Sequence, residues 1–157
     1  PGGKIIDDLA KMGDETAITF PRPMLNSGNY QFSYSGIKTS VRNFVEKATK
    51  NQELPSVEDI AASFQAAAVE VLVAKTIRAT KEKGYRTITL TGGVAANSLL
   101  RKEMEIAGEE IGAKVFYPSI RLCTDNAAMI AGLAYQKYCQ GQRDDFDLNA
   151  SANSEII

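Results

Sequence analysis

The chain has 157 residues and a formal net charge of −1 at pH 7, with 18 Lys and Arg against 19 Asp and Glu. That length suits one domain with its own core, and the balanced charge gives no basic footprint for nucleic acid, although a fragment can lack the basic surface of its parent. The chain has no histidine, so it builds no Ser-His or Cys-His nucleophile, and any metal site rests on carboxylates or is completed elsewhere.

Pro1-Gly2-Gly3 reads as a turn, and a sequence opening inside a turn is expected of a fragment whose N-terminal half is missing. Residues 4–12 then read as a short helix with Ile5, Ile6 and Leu9 on one face. Residues 17–20 read as a strand stopped by Pro21-Arg22-Pro23, since proline cannot continue a ladder. Residues 26–29 are a turn. Residues 30–34 alternate aromatic and polar side chains, the pattern of a strand with one buried face. Helical spacing of Ile37, Val41, Phe44 and Val45 predicts a helix over 37–48, and Ser33, Ser35, Lys38 and Thr39 are placed to line a cleft. Ser56-Val57-Glu58-Asp59 fits a capping box, opening a long helix to about Lys83, with Ile60, Phe64, Ala67, Val71 and Leu72 toward the core. Gly84 stops it, and Lys75, Arg78, Lys81 and Lys83 complement its dipole.

Residues 87–91 alternate β-branched side chains around a leucine and read as a buried strand. Gly92 and Gly93 follow. Leu100, Met104, Ala107 and Ile111, spaced by four, three and four, then predict a helix. A strand, a glycine turn and a helix start can hold a nucleotide: glycines admit close approach of a ligand, and a helix N-terminus offers free N–H groups. The Asn97 amide can donate and accept hydrogen bonds there, or it can cap the helix. Residues 114–117 read as another strand, ended by Pro118. An alanine-rich helix follows Cys123-Thr124-Asp125-Asn126. Thr124 or Asp125 can cap it, or Asp125 can present a carboxylate to a metal. From Gly141 the sequence is polar. No apolar run approaches the roughly 20 residues that span a bilayer, so no membrane contact is expected. Cys123 and Cys139 lack metal-type spacing, which predicts a reduced, cytoplasmic setting.

Four segments carry a resemblance: Phe20-Pro21-Arg22-Pro23-Met24; residues 32–39, Phe-Ser-Tyr-Ser-Gly-Ile-Lys-Thr; residues 91–97, Thr-Gly-Gly-Val-Ala-Ala-Asn, with Leu100-Arg101; and residues 123–131, Cys-Thr-Asp-Asn-Ala-Ala-Met-Ile-Ala. In this order they resemble the C-terminal half of the TsaD/Gcp family, long called glycoproteases or O-sialoglycoprotein endopeptidases, over residues 1 to about 140. The resemblance implies an α/β fold, a mixed sheet with packed helices, forming one lobe of an actin-like (RNase-H-like) ATPase. Residues 1–140 are then the C-terminal part of that domain and 141–157 a polar tail. It implies transfer of a threonylcarbamoyl group from its adenylate to N6 of adenosine 37 in tRNA. It also implies ATP or threonylcarbamoyl-adenylate as nucleotide ligand, a divalent metal (iron or zinc) in the whole enzyme, and tRNA and proteins of a transfer complex as partners.

By motif, Asp125 resembles the family's aspartate metal ligand and Asn97 its nucleotide-contacting asparagine. Gly92 and Gly93 would hold the adenylate. Gly3 falls on the glycine of a Pro-Gly-Gly turn, and Asp7 on an acidic position that meets a ribose hydroxyl. The family's His-x-x-x-His pair, its Ser-Gly-Gly-His-Thr loop and its Asp-Asp-Ala segment are absent from this sequence. The isolated chain is therefore expected to be inactive and to bind no metal tightly. Three other readings stay open: another actin-like carbamoyltransferase or kinase, a non-catalytic partner-binding lobe, and a metalloprotease, which the lack of histidine disfavours.

Overall fold

The computed structural model describes residues 2–149; the remainder of the expected tail, 150–157, and Pro1 lie outside the described residues. The described residues form five α-helices and one parallel strand pair: α1 (Gly2–Ala10), α2 (Ser35–Asn51), α3 (Val57–Lys83), β1 (Thr87–Thr89), α4 (Ser98–Glu110), β2 (Lys114–Phe116) and α5 (Ala127–Cys139). The α/β class is as expected. The sheet, however, is a two-stranded parallel pair among the described residues, with Ile88 opposite Val115, and not a mixed sheet.

Helix α3 is the central element, with α1, α2 and α4 packed against it. Its ends are those read from the sequence. The Ser56 hydroxyl accepts from the Asp59 N–H at 3.0 Å, and Gly84 closes the helix at φ 70°, a left-handed conformation suited to glycine. By length and composition alone α3 is long and apolar enough to cross a membrane, which the expectation of no spanning run overlooked. Here it is the core helix. One apolar cluster on it gathers Val69 with Ile88, Leu100, Met104 and Ala113 from the β1–α4–β2 unit. A second gathers Ala67 with Phe20 and Ile37, and Phe44 meets Phe20 edge to face at 5.6 Å.

The segment between α1 and α2 forms neither expected strand. Residues 17–20 and 30–34 have no ladder partner among the described residues; α3 side chains bond the Ile18 N–H and the Gln31 carbonyl instead, and further backbone groups of the segment around them. Asp59 accepts from the Asp14 N–H at 2.8 Å. Ser63 donates to the Asp14 carbonyl and accepts from the Ile18 N–H, both at 3.1 Å. Glu70 pairs with Arg22 at 2.8 Å. Lys75, expected near the helix end as a dipole partner, is 1% exposed. Its ammonium donates to the Met24 carbonyl (2.7 Å), the Ser27 hydroxyl (2.9 Å) and the Gln31 carbonyl (2.6 Å). Arg78 donates to the Asn29 carbonyl, and Glu82 accepts from the Tyr30 hydroxyl. The dipole reading therefore holds for Lys81 and Lys83, in the last turn, and not for Lys75 or Arg78. Gly13 starts this strap. A Cβ there would lie 2.1 Å from the Glu58 carbonyl oxygen, so only glycine lets the chain pass the start of α3.

Three further expectations are corrected. Gly2 and Gly3 belong to the first turn of α1 and form no turn, because the helix's contacts with α3 extend its winding to the start of the described chain. On its buried side lie Ile6 and Leu9, while Ile5 is exposed. Helix α5 is capped by Asn126, whose side chain accepts from the Met129 N–H at 3.0 Å, and not by Thr124 or Asp125. All of α5 is exposed.

Two outcomes test this packing. Lys75→Met keeps the stem in place but leaves two carbonyls and a hydroxyl without their donor, which is costly for buried groups. The melting temperature should fall by several degrees and limited proteolysis should open within 24–31, whereas an unchanged melt and digest would remove Lys75 from this role. Asp59's carboxyl is held below its usual value by the Asp14 N–H and then the Ser56 hydroxyl. Its contribution is thus present above the unfolded value, about 3.8, and is lost as pH falls through the lower folded value. Denaturant titrations at descending pH should show a shallower acid loss for Asp59→Asn than for wild type.

Candidate functional site

After β1 the chain passes Gly92, at φ 81° and ψ 179°, a backbone conformation open chiefly to glycine. A 3-10 turn, Gly93–Ala96, intervenes before α4, so the glycines do not lead directly into the helix as the sequence suggested. A Cβ added at Gly3, Gly92 or Gly93 would meet nothing within 4 Å, and all three glycines are exposed. Packing within this chain therefore does not explain the glycine at 3 or 93.

The structure brings Asp7 and Asn97 together, ninety residues apart in sequence. Asn97 lies at the start of α4, where its Oδ1 accepts from the Leu100 N–H at 2.9 Å. Its Nδ2 donates to Gln65 Oε1 at 2.7 Å and to Asp7 Oδ1 at 3.2 Å. Asp7 Oδ1 also accepts from the Ser98 N–H (3.1 Å) and hydroxyl (2.8 Å). The Asp7 side chain is 13% exposed, and Lys11, one turn on, lies 3.5 Å from its Oδ2. One carboxylate and one amide thus join α1, α3 and α4. An acidic group at the first turn of α4 also suits the positive end of that helix.

Gln65, 6% exposed, escaped the sequence reading because a glutamine in an alanine-rich helix is indistinguishable from a surface residue until its face is known. Beside the junction is an open groove of about 390 Å³. Its lining includes Lys11, Gln65, Ser98 and Lys102. A second, of about 500 Å³, is lined by Ile6, Ile37, Val41 and Phe64, with Ser35 and Lys38 at its edge. Of the four residues expected to line a cleft, Ser35 and Lys38 do so.

Asp125 stands in the loop before α5. It is exposed and makes no hydrogen bond or ion pair among the described residues. No group of three or more His, Cys, Asp or Glu among the described residues is placed to hold a metal ion. Cys123, two residues earlier, is buried, and Cys139 is exposed; both are free thiols. Arg101, whose role its sequence position does not disclose, reaches from α4 to Cys123.

The family profile described as "TsaD: tRNA N6-adenosine threonylcarbamoyltransferase" matches residues 1–132. Among curated relatives of that same name, the protein of Clostridioides difficile (strain 630) is 51% identical over 157 residues, 99% of this chain and 46% of the relative. That of Thermosipho africanus (strain TCF52B) is 50% identical over 156 residues, covering 99% and 47%. That of Thermotoga neapolitana is 46% identical over 156 residues, covering 99% and 46%. The chain spans about half the length of these relatives.

The junction's geometry sets an expectation for Asn97→Asp. The new carboxylate still caps α4, but it turns a donor into a second anion against Asp7 and leaves Gln65 Oε1 without its partner. An unpaired buried polar group costs about 1–3 kcal/mol, and like charges in contact add to it. Asp7→Asn in the same chain should recover part of the loss. Urea melts of both single variants and the double variant measure this coupling, and strict additivity would show that the two side chains do not interact in solution.

Proposed function

The chain belongs to the TsaD family of tRNA N6-adenosine threonylcarbamoyltransferases, and we propose that it forms the C-terminal part of such an enzyme, one lobe of an actin-like ATPase fold. In this reading the full protein moves threonylcarbamoyl from its adenylate to N6 of adenosine 37 of tRNA. The N6 nitrogen attacks the carbonyl carbon, a C–N bond forms, the bond to the adenylate phosphate breaks, AMP leaves, and the attacking nitrogen loses a proton. The observation that carries the reading is the family match over residues 1–132, within which Asp7 and Asn97 form one hydrogen-bonded junction.

This chain's part is binding and orientation. Both amide hydrogens of Asn97 are engaged. A ligand therefore meets Asn97 at the second lone pair of Oδ1, or replaces the longer bond to Asp7. Asp7 keeps acceptor capacity at Oδ2 for a ribose hydroxyl. Gly3, Gly92 and Gly93 leave backbone uncovered where a nucleotide can approach. Because Asp7 and Asn97 are held where three helices meet, little ordering of these two groups is required when the ligand arrives.

The divalent metal, iron or zinc, implied by the resemblance does not fit the residues present. Asp125 is a lone exposed carboxylate, and one carboxylate does not hold a catalytic metal. Asp125 serves as a ligand only with donors from outside this sequence. The same reading makes the protein cytoplasmic, with tRNA and the proteins of a transfer complex as partners. A second reading, a non-catalytic lobe that binds a partner protein, draws on α5. Its Met129, Ile130, Leu133, Tyr135 and Tyr138 are each more than half exposed.

The test compares this chain with the whole protein encoded by its reading frame, each given adenylate donor and tRNA. The whole protein should form threonylcarbamoyladenosine and the isolated chain should not. Turnover by the chain alone would overturn the fragment reading, and none by the whole protein would overturn the family activity. In the whole protein, Asn97→Ala should weaken ATP binding between a few-fold and roughly a hundred-fold, as expected for loss of one to two hydrogen-bonding groups. It should also cost about 0.5–2 kcal/mol of stability through the lost cap. A lowered melting temperature with unchanged affinity would leave Asn97 a purely structural cap.

A further inference from the structure

Two candidate segments, the Gly93–Asn97 turn and the Cys123–Asn126 loop, lie far apart in sequence and are joined by one side chain. Arg101, on the first turn of α4, donates from Nε to the Ala95 carbonyl at 2.5 Å. Its Nη2 donates to the Pro118 carbonyl at 3.0 Å and to Cys123 Sγ at 3.1 Å. Its guanidinium carbon lies 4.3 Å from the centroid of the Tyr117 ring. Ala95 is two residues before Asn97, and Cys123 is two residues before Asp125.

We infer that Arg101 is a positioning residue that locks the Asp125 loop to the turn that ends at Asn97. Among the described residues Arg101 forms no ion pair. Its charge is not spent on a carboxylate, and the three N–H groups that find a partner go to main-chain oxygen or thiol. The Nε hydrogen and both Nη2 hydrogens are assigned, one to the turn, one to the Pro118 carbonyl just after β2, and one to Cys123 at the start of the loop. The planar fork fixes the angle between them, and the Tyr117 face restrains the guanidinium from one side. Cys123 is 3% exposed and anchors the far end. Asp125 itself has no partner among the described residues, and its neighbour Asn126 bonds only within residues 122–129, so the Arg101–Cys123 contact is the nearest hydrogen bond that ties this loop to α4. A lysine offers one donor centre and no Nε, and cannot bridge both segments in this geometry.

The inference rests on the reading above, in which Asn97 and Asp125 serve one reaction, so its first test is independent of activity. In this 157-residue chain, reaction with a chromogenic disulfide reagent should modify exposed Cys139 quickly and Cys123 slowly. Both Arg101→Lys and Arg101→Met should raise the Cys123 rate by about tenfold or more, as expected when a local opening becomes frequent, with the Cys139 rate and the melting temperature nearly unchanged. A Cys123 rate that stays at the wild-type value in both variants would overturn the inference. In the whole protein, Arg101→Lys should lower kcat by about tenfold or more, the scale of a small misplacement, while ATP affinity stays within about twofold. Equal losses in kcat and in ATP affinity would make Arg101 a general structural residue and overturn the inference. A wild-type whole protein without transfer activity would overturn the functional reading alone, and the thiol rates would still decide the role of Arg101.

Discussion

The structure depends on one helix that is apolar on two sides and polar along a third. Helix α3 buries Val69 against the β1–α4–β2 unit and Ala67 against Phe20 and Ile37. Between those contacts Asp59, Ser63, Glu70, Lys75, Arg78 and Glu82 form a discontinuous stripe that meets the backbone and side chains of residues 14–31. Buried backbone groups need partners, and a long irregular segment usually leaves some bare. Here the helix supplies those partners itself. Lys75 is the extreme case. Burial, and then the neighbouring Arg78 charge, hold its pKa below the ordinary lysine value, and three neutral oxygens stand in for the water it has lost.

With the strap held to α3, the two ends of the chain's long-range contacts are also set. Residues 13–14 are pinned at the start of α3 by Gly13 and Asp59, which fixes where α1 must end. Helix α1 then runs beside α3, and Asp7 reaches Asn97 and Ser98 at the start of α4. Helix α4 is held on its other side by β2, so closely that a Cβ at Gly108 would stand 2.7 Å from Val115 Cγ2. The Asp7–Asn97 junction therefore sits where three helices have little freedom to adjust. Rigid support of this kind positions a polar group for a ligand better than a loop does.

Helix ends and apolar faces were legible in the sequence because they depend on neighbours three or four residues apart. Ser56 and Gly84 bracket α3 as read, and Leu100 and Met104 are buried as their spacing predicts. The strands at 17–20 and 30–34 were misread because period-two alternation says only that one side of an extended segment is buried. It does not say whether the backbone meets another strand or a helix's side chains. Pro21, expected to end a strand, lies in an irregular strap of turns and bends that is tied to α3 by hydrogen bonds. The same limit hid Gln65 and Lys75. Their chemistry depends on which face of α3 turns inward, and in an alanine-rich helix several faces are apolar enough. At the candidate site, the motif located Asn97 and Asp7 separately, and only the fold joins them.

The sequence leaves Asn97 as either a nucleotide contact or a helix cap; the structure shows the cap, and its geometry leaves room for the proposed contact. The cap uses one lone pair of Oδ1 toward Leu100, and a carbonyl-type oxygen has two. The amide hydrogens, held by Gln65 and Asp7, fix the plane of the side chain, so the direction of the free lone pair is fixed too. An asparagine capping a helix without those two partners would rotate about χ2 and present no defined acceptor. Substituting aspartate would preserve the oxygen and lose the constraint, and serine would preserve the cap and lose the reach to Gln65. Capping and the proposed ligand contact are therefore compatible at this position, and together they need a side chain with both an acceptor and two donors in one plane.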